Sequence, residues 1–180
     1  MILESNTIFF RFVEIKDASF VLGLRTDETY NKYLSKVDDS LIKQIDWLNH
    51  YKEKEAKSEE FYFIICLKRS GEPIGTVRIY DFKKDINSFC WGSWILNSNK
   101  TKYAALESAL LIYDFAFNEL GFSQCHMDIR KNNEKVINFH KRFGVEILGQ
   151  TDLDLLGIYT KESYESIRSS IESIISGYTE

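Results

Sequence analysis

The sequence predicts a mixed α/β domain, and two patterns in the chain predict it. First, Phe61–Leu67 is a continuous apolar run of the kind found in buried strands. The turn residues Arg69–Glu72 and the strand-like Pro73–Tyr80 follow it as a β-hairpin, and another turn precedes an apolar segment over Phe89–Leu96. Second, amphipathic helical patterns occur in the chain on both sides of this three-stranded meander.

The first part of the chain has its own local signals. Thr7–Val13 alternates well enough for a first strand. A short helix is predicted from Lys16 to about Leu24, and Asp38–Ser40 is predicted to cap a second helix. The charged run Lys52–Glu60 is interpreted as an exposed surface that ends this second helix.

Helix and strand patterns alternate in the second half of the chain. The predicted order is a helix over Ala104–Leu120, a strand over Ser123–Arg130, a helix that begins at Asn132-Asn133, a strand over Val145–Gly149, a strand over Leu153–Thr160 and a terminal helix over about 162–176. We expect one domain covering residues 1–180, which is long enough to bury a hydrophobic core.

The composition excludes several classes of protein. The chain is 44% hydrophobic and 28% charged, as soluble globular proteins are, and its net charge of -4 gives no nucleic-acid signal. Cys66, Cys90 and Cys125 are isolated, which favours buried reduced thiols over disulfides or a metal site. The beginning of the chain lacks the regions of a signal peptide, and no apolar run of about 18 residues could span a membrane. We therefore expect a cytoplasmic protein with no metal and no nucleic-acid or membrane partner.

The most informative segment is Asn132–Gly144. Asparagine side chains can accept the first amide hydrogens of a helix, and Gly144 stands where glycine often ends one. One side of this helix is predicted to be a mostly apolar stripe: Val136, Ile137, Phe139, His140 and Phe143. A histidine is unusual in such a stripe, although the unit by itself is an ordinary strand–helix–strand arrangement.

Four motifs, in this order of elements, resemble the GNAT-superfamily N-acyltransferases over nearly the whole chain. Gly71–Gly75 resembles the hairpin before the family's central sheet, and Gly92–Ile95 resembles the end of its fourth strand. Glu107–Phe117 resembles the following helix in the branch that includes ribosomal-protein acetyltransferases, and Asn133 matches an asparagine that often contacts the pantetheine arm. The resemblance implies the GNAT fold, a mixed central sheet with splayed strands 4 and 5 and flanking helices.

The resemblance also implies a site for acyl-coenzyme A. In the family the cofactor lies between the two splayed strands, where exposed backbone groups can bond the pantetheine amides. Here the amide that polarises the thioester carbonyl would come from Ile95 or Leu96. Asn133 and Val136 would contact the cofactor from the helix described above.

The phosphate loop departs from the family's pattern of Arg or Gln, two residues, Gly, one residue, and Gly or Ala. Lys100–Ala105 occupies the corresponding place, with Tyr103 instead of the middle glycine. The glycines allow backbone amides to approach pyrophosphate at a helix N-terminus, and Tyr103 can still offer its amide if its φ is negative. Loss of coenzyme A binding is the alternative. The residues predicted to bind the cofactor here are Lys100, Lys102, Tyr103, Ala104 and Ala105.

His140 occupies the place of a tyrosine that is the acid for the leaving thiolate in many family members. A histidine can donate a proton near neutral pH, could act as a base on the amine, or could be a core histidine bonded to a carbonyl. The family's glutamate base has no counterpart at Cys90-Trp91, so proximity and carbonyl polarisation would carry the reaction. His126 and Asp128 could form a second acid–base pair, or more simply an ordinary hydrogen-bonded pair on one strand.

Aromatic and cationic side chains in the first half of the chain are candidate contacts for the acceptor. Aromatic rings stack on bases and on apolar sugar faces, and arginine binds phosphate in a forked manner. Packing of these rings between helices and sheet is an equal alternative. The predicted acceptor-binding residues are Arg25, Tyr30, Trp47, Arg78 and Tyr80.

Two further segments, Tyr113–Phe122 and Asn138–Gly144, resemble small GNAT proteins that acetylate nucleotide-linked amino sugars for surface glycans. The resemblance implies an acetyl-coenzyme A-dependent N-acetyltransferase with a nucleotide-linked amino sugar as its acceptor. Acetylation of a protein or peptide N-terminus and a non-catalytic GNAT-like binding domain are the alternatives. The sequence identifies neither the sugar nor the nucleotide, and a homodimer is compatible with it.

Overall fold

The computed structural model describes residues 3–177. Within that range the strands are β1 (Leu3–Glu4), β2 (Ile8–Phe12), β3 (Phe61–Leu67), β4 (Pro73–Lys83), β5 (Ser88–Leu96), β6 (Gln124–Arg130), β7 (Glu146–Gln150) and β8 (Asp154–Thr160). The helices are α1 (Ala18–Thr26), α2 (Glu28–Asn31), α3 (Leu41–Ala56), α4 (Ala104–Asp114), α5 (Glu134–Phe143) and α6 (Lys161–Ser176). A 3₁₀ turn, Ile15–Asp17, leads into α1, and a π-helical turn, Phe115–Glu119, continues α4.

Most predicted elements are confirmed with small shifts at their ends, but the predicted end of the second helix is wrong. α3 continues through the charged residues as far as Ala56. Lys52 contacts Glu55 one turn away, and the Lys54 ammonium lies 2.9 Å from the Glu60 carboxylate. A pair three residues apart, such as Lys52 with Glu55, supports an exposed helix, so a charge run does not by itself end one. β1 has no sequence signal because two residues are too few to show alternation.

The strands form one mixed sheet in the order β1-β2-β3-β4-β5-β6-β8-β7. β5 and β6 run parallel, with Ser88 opposite Gln124 and Phe89 opposite Cys125. β2 runs antiparallel to β1 and to β3, β3 to β4, and β8 to both β6 and β7. A mixed sheet with a parallel central pair confirms the predicted fold class.

The chain divides into two compact units. The N-terminal unit comprises the residues up to Tyr80 together with Trp91–Ser108. Helices α1 and α3 pack against β3 in this unit, because each presents an apolar stripe to the sheet. Its buried core consists of Val13, Ala18, Val21, Leu48, Tyr51, Tyr62, Ile64 and Cys66.

The C-terminal unit comprises Asp81–Cys90 and the residues from Ala109 onward. Its core is a cluster of aromatic rings, with 4.8 Å between the centroids of Tyr113 and Tyr159 and 5.6 Å between those of Phe117 and Tyr164. Tilted aromatic pairs at these distances add to the stabilisation that their buried area provides. The cluster therefore ties the end of α4 to β8 and α6.

The structure also bears on the predicted chemistry of the cysteines. Cys66, Cys90 and Cys125 are all buried and free, as the sequence predicts. Between residues 3 and 177, no group of three or more His, Cys, Asp or Glu side chains is arranged to hold a metal ion. None of the helices described in that range combines the length and the apolar character that a membrane crossing needs.

Gly75→Ala should strongly destabilise the protein, because an added Cβ would lie 2.1 Å from the backbone carbonyl oxygen of Ile95. Relief requires a strand to shift, and we expect the free energy of unfolding in urea to fall by about 3 kcal/mol. Gly149→Ala is the control, since its Cβ would meet only a Leu156 methyl group, at 3.9 Å, and it should cost less than about 1 kcal/mol. Equal losses in the two variants would contradict this explanation.

Candidate active site

The end of β5 fixes the direction of the backbone amides assigned to the cofactor. The Asn97 amide donates to the Ile74 carbonyl oxygen of β4 at 2.8 Å, and the Ile95 carbonyl oxygen approaches Gly75 of β4. Backbone polar groups alternate between the two edges of a strand. Ile95 therefore faces β4, and Leu96 directs its amide to the opposite edge. Of the two predicted amide donors, this geometry favours Leu96.

β5 is irregular just before this point. Ser93 has a φ of 48°, a left-handed conformation that is uncommon outside glycine. Its carbonyl oxygen accepts a hydrogen bond from the Thr76 hydroxyl at 2.9 Å, and the next residue, Trp94, donates from Nε1 to Ser108 Oγ at 3.1 Å. These side-chain bonds hold the irregular backbone in one geometry, so the residues that follow keep a defined orientation.

The predicted phosphate loop leads directly into α4, whose first residue, Ala104, is fully buried. Among residues 3–177, four residues other than glycine have positive φ, and Tyr103 is not one of them. Its backbone therefore meets the condition for presenting its amide. Lys100 and Lys102 are exposed, and the Lys102 ammonium lies 4.9 Å from the centroid of the Tyr103 ring. A helix N-terminus, small residues and two cations fit a pyrophosphate group.

Glu107 anchors this loop, a role that the sequence analysis did not predict. Its side chain is fully buried in the first turn of α4. Its carboxylate accepts hydrogen bonds from the amide of Thr7, at 2.8 Å, and from the Thr7 hydroxyl. That hydroxyl also lies 2.7 Å from the hydroxyl of Thr101 in the loop. A buried carboxylate needs such partners, and an acidic residue within an otherwise apolar helix is the sequence signal that could have found it.

α5 carries the predicted pantetheine contacts in the C-terminal unit. Asn133 is its N-cap, and its side-chain oxygen accepts a hydrogen bond from the half-buried Val136 at 3.4 Å. The cap uses the oxygen and not the NH₂ group of Asn133, which can donate to a carbonyl of the cofactor. Gly144 ends the helix with a φ of 88°, as the sequence predicts.

His140 lies on the buried side of α5, with 7% of its surface exposed. Burial lowers its pKa to about 4, because the imidazolium ion loses its hydration. At pH 7 only about one ring in a thousand is then protonated. The ring is therefore neutral near pH 7 and carries no imidazolium proton to give, although its N–H can still donate a hydrogen bond.

The structure pairs His126 with residues other than the predicted Asp128. Its Nε2 lies 2.9 Å from the Asp81 carboxylate, and its Nδ1 lies 2.7 Å from Ser88 Oγ. Asp128 is two residues away on β6, about 7 Å along the strand, and is exposed. The hydrogen bond from His126 is the main cause that lowers the pKa of Asp81. Because Ser88 is fully buried, this group links elements of the C-terminal unit and does not present a nucleophile.

Arg78, on β4, is held between two aromatic rings. Its guanidinium carbon lies 5.3 Å from the ring centroid of Trp47 and 4.7 Å from that of Tyr80. Its Nε and Nη2 both donate to the Glu60 carboxylate, at 3.2 and 2.7 Å. Stacking and the ion pair orient the guanidinium, while Nη1 is the nitrogen that Glu60 does not use.

Three of the five predicted acceptor residues, Arg25, Trp47 and Arg78, line one cavity of about 320 Å³ in the N-terminal unit. Tyr80 packs on Arg78 beside this cavity. Tyr30 lies elsewhere in the unit, since its hydroxyl accepts a hydrogen bond from the Ser98 amide at 3.2 Å. The other residues that line the cavity are Val21, Ser35, Lys36, Val37, Gln44 and Tyr62.

Tyr62 was interpreted from the sequence as part of a buried strand, and its position at this cavity was missed. Its side chain is 1% exposed, and burial raises the pKa of its hydroxyl. Thr76 and Arg25 lie close enough to the hydroxyl to lower its pKa against the effect of burial, but among residues 3–177 neither this hydroxyl nor Arg25 Nε makes a well-aligned hydrogen bond. A buried polar group without a partner costs roughly 1–3 kcal/mol. Both atoms belong to residues that line this cavity.

Residues 7–146 of the chain match the acetyltransferase (GNAT) domain family. The chain belongs to the GNAT acetyltransferase family. The match spans the end of β5, the phosphate loop and α5, which are the parts of the chain described above. This GNAT protein is accordingly an N-acetyltransferase, and its acyl donor is acetyl-coenzyme A.

Solved structures show the same fold. FdhC, a nucleotide-linked sugar GNAT in its apo form, is 42% identical, with 97% of this chain and 98% of that chain covered and a TM-score of 0.90. The ribosomal-protein-S5-alanine acetyltransferase from Vibrio fischeri is 15% identical, with 91% and 98% covered and a TM-score of 0.77. A GCN5-related N-acetyltransferase from Brucella melitensis is 14% identical, with 96% and 84% covered and a TM-score of 0.76. No curated protein sequence matches the chain.

Glu107→Ala should destabilise this GNAT protein, because it removes the buried carboxylate that accepts hydrogen bonds from the amide and the hydroxyl of the half-buried Thr7. We expect the free energy of unfolding in urea to fall by about 3 kcal/mol, with a smaller loss for Glu107→Gln. Glu119→Ala is the control, since Glu119 is exposed at the other end of the same helical segment and should change stability by less than about 0.5 kcal/mol. A Glu107→Ala protein as stable as the control would refute the anchoring role.

The depressed pKa of His140 predicts a loss of stability in acid. Protonation of His140 favours the unfolded state as the pH falls from the ordinary 6.5 towards the folded value of about 4, and above this window the contribution of His140 to stability is constant. Between pH 7 and pH 4, the wild type should lose about 3 kcal/mol of unfolding free energy that His140→Gln does not lose. Urea denaturation at several pH values measures this difference. His50→Gln, at an exposed position of α3, should follow the wild type, and a His140→Gln profile parallel to both would disprove the explanation.

Proposed function

We propose that this GNAT protein transfers an acetyl group from acetyl-coenzyme A to the amine of a nucleotide-linked amino sugar in surface glycan biosynthesis. One observation carries the proposal: the 42% identity to FdhC, a nucleotide-linked sugar GNAT, over 97% of the chain. The cavity lined by Arg25, Trp47 and Arg78 supports an acceptor of this class, because cations bind phosphates and aromatic rings bind bases and sugars.

Acetyl-coenzyme A supplies the acetyl group as an activated thioester. We propose that Leu96 directs its amide to the thioester carbonyl, in line with the backbone alternation at the end of β5. Asn133 and Val136 are proposed to contact the pantetheine arm, the first by donating from its NH₂ group. The residues proposed to hold the pyrophosphate are Lys100, Lys102, Tyr103, Ala104 and Ala105.

The chain has no carboxylate at Cys90-Trp91 to act as a base from β5. We propose that positioning of the amine against the thioester supplies most of the acceleration, since well-oriented reactants gain effective concentration. His140 remains the proposed proton-handling residue. Because its ring is neutral at pH 7 and burial disfavours the imidazolium ion, its role would be to donate or accept a hydrogen bond during the proton transfers, and not to act as a charged acid.

Acetylation of a peptide N-terminus has less support. The ribosomal-protein acetyltransferase is 15% identical to the chain, which concerns the fold alone. A peptide N-terminus also has no phosphate to offset its cationic amino group, and the cavity in the N-terminal unit is itself lined by Arg25, Lys36 and Arg78. Like charges in one site oppose binding.

A thiol-release assay with acetyl-coenzyme A tests the proposal. We expect turnover with at least one member of a panel of nucleotide-linked amino sugars. The control is the matched nucleotide sugar that carries a hydroxyl in place of the amine, which should give no release above background. Release with peptides that begin with alanine or serine, and none with any amino sugar, would overturn the proposed acceptor.

A further inference from the structure

We propose that the cavity lined by Arg25, Lys36, Tyr62 and Arg78 binds the diphosphate of the nucleotide-linked acceptor. This inference rests on the proposed function and deepens it, because it states which side chains recognise which part of the acceptor. The cavity, of about 320 Å³, lies wholly within the N-terminal unit. It is separate from the loop Lys100–Ala105 that is proposed to hold the pyrophosphate of the cofactor.

The positive charge of the cavity favours the binding of an anion. Its lining includes three cations and no Asp or Glu side chain. Glu60 compensates Arg78 through an ion pair at 2.7 Å, whereas among residues 3–177 neither Arg25 nor Lys36 forms an ion pair. Two positive charges thus remain uncompensated. A diphosphate that links a nucleoside to a sugar carries about two negative charges at neutral pH, which matches them.

The polar atoms of Arg25 and Tyr62 at this cavity are better suited to the diphosphate of the acceptor than to its amine. Arg25 Nε can only donate a hydrogen bond, and in the part of the chain that the structure describes it lies near the Tyr62 hydroxyl without making a well-aligned bond. The Tyr62 hydroxyl, almost fully buried at the same cavity, lies beside Thr76 and Arg25 but makes no well-aligned hydrogen bond within the described residues. Phosphate oxygens accept hydrogen bonds and do not donate them, so they complement both groups. The ammonium group of an amino sugar would instead bring further donors and a further positive charge.

Two of the three cations of the cavity, Arg25 and Arg78, are held in place by other side chains, so the site is pre-organised for a ligand. Arg25 Nη2 donates to the Ser35 carbonyl oxygen at 3.0 Å and to the Ser35 hydroxyl at 2.9 Å, which holds the guanidinium in place. Arg78 is held between Trp47 and Tyr80. An adjoining cavity of about 660 Å³ shares Arg25, Ser35, Lys36 and Val37, so the groups attached to a diphosphate have room on that side.

Calorimetry with uridine and thymidine diphosphates tests the inference on the full-length chain. The protein is first saturated with coenzyme A, so that the loop Lys100–Ala105 is blocked and a second diphosphate site is measured alone. We expect one site per chain, with a Kd raised about tenfold by Arg25→Met and about fivefold by Tyr62→Phe. The acetyl-coenzyme A Kd should be unchanged in both variants.

Tyr159→Phe is the matched control. The Tyr159 hydroxyl is also buried without a partner among residues 3–177, but it lies in the aromatic core of the C-terminal unit. Its removal should leave the nucleoside diphosphate Kd unchanged, so that an effect of Tyr62→Phe reports on the cavity and not on the general loss of a buried hydroxyl. Tyr62→Phe removes one oxygen and no packing volume, which keeps the test valid if Arg25→Met folds poorly.

The outcomes separate this inference from the proposed function. Thiol release with an amino sugar, together with an unchanged Kd and KM in Arg25→Met and Tyr62→Phe, would overturn the cavity assignment and leave the proposed function standing. Loss of nucleoside diphosphate binding on saturation with coenzyme A would also overturn it, because the anion would then occupy the loop. Binding that depends on Arg25 without turnover of any amino sugar would show that the acceptor class is wrong, and the inference would fail with it.

Discussion

The close approach of β4 and β5 at Gly75 is the constraint on which the candidate site in the N-terminal unit depends. A side chain at this position would meet the Ile95 carbonyl oxygen at 2.1 Å, so the two strands can be this close only where a glycine stands. Their contact sets which residues of β5 face β4, and it thereby turns the amide of Leu96 to the other edge. The phosphate loop and the first turn of α4 follow directly from that strand end.

Buried polar groups differ between the two candidate functional parts of this unit, the loop next to Glu107 and the cavity at Arg25 and Tyr62. Around Glu107 every observed bond serves the fold, since Thr7 satisfies the carboxylate and contacts the loop. At the cavity, Arg25 and Tyr62 hold polar atoms that find no partner between residues 3 and 177. A protein tolerates that cost where a ligand repays it. The bonds of Glu107 thus account for a structural role, whereas the polar atoms of the cavity suit the anionic ligand proposed for it.

The sequence predicted the strands well because their apolar runs and turns are local patterns. It also located helix α5, since a cap, a stripe and Gly144 are all encoded within a few residues. It failed where the deciding partner is distant along the chain. The pairing of His126 with Asp81 and the anchoring role of Glu107 involve residues 45 and 100 positions away, and no spacing rule reaches so far.

The sequence by itself determined the order of elements, the resemblance to the GNAT family and the position of His140 in an apolar stripe. These follow from periodicity and from motifs that are contiguous in the chain. Only the tertiary structure decided the protonation of His140, because its pKa of about 4 results from burial by distant residues. It alone also brought Arg25, Tyr62 and Arg78 to one cavity. Hydration and charge depend on the neighbours in space, which the linear sequence does not specify.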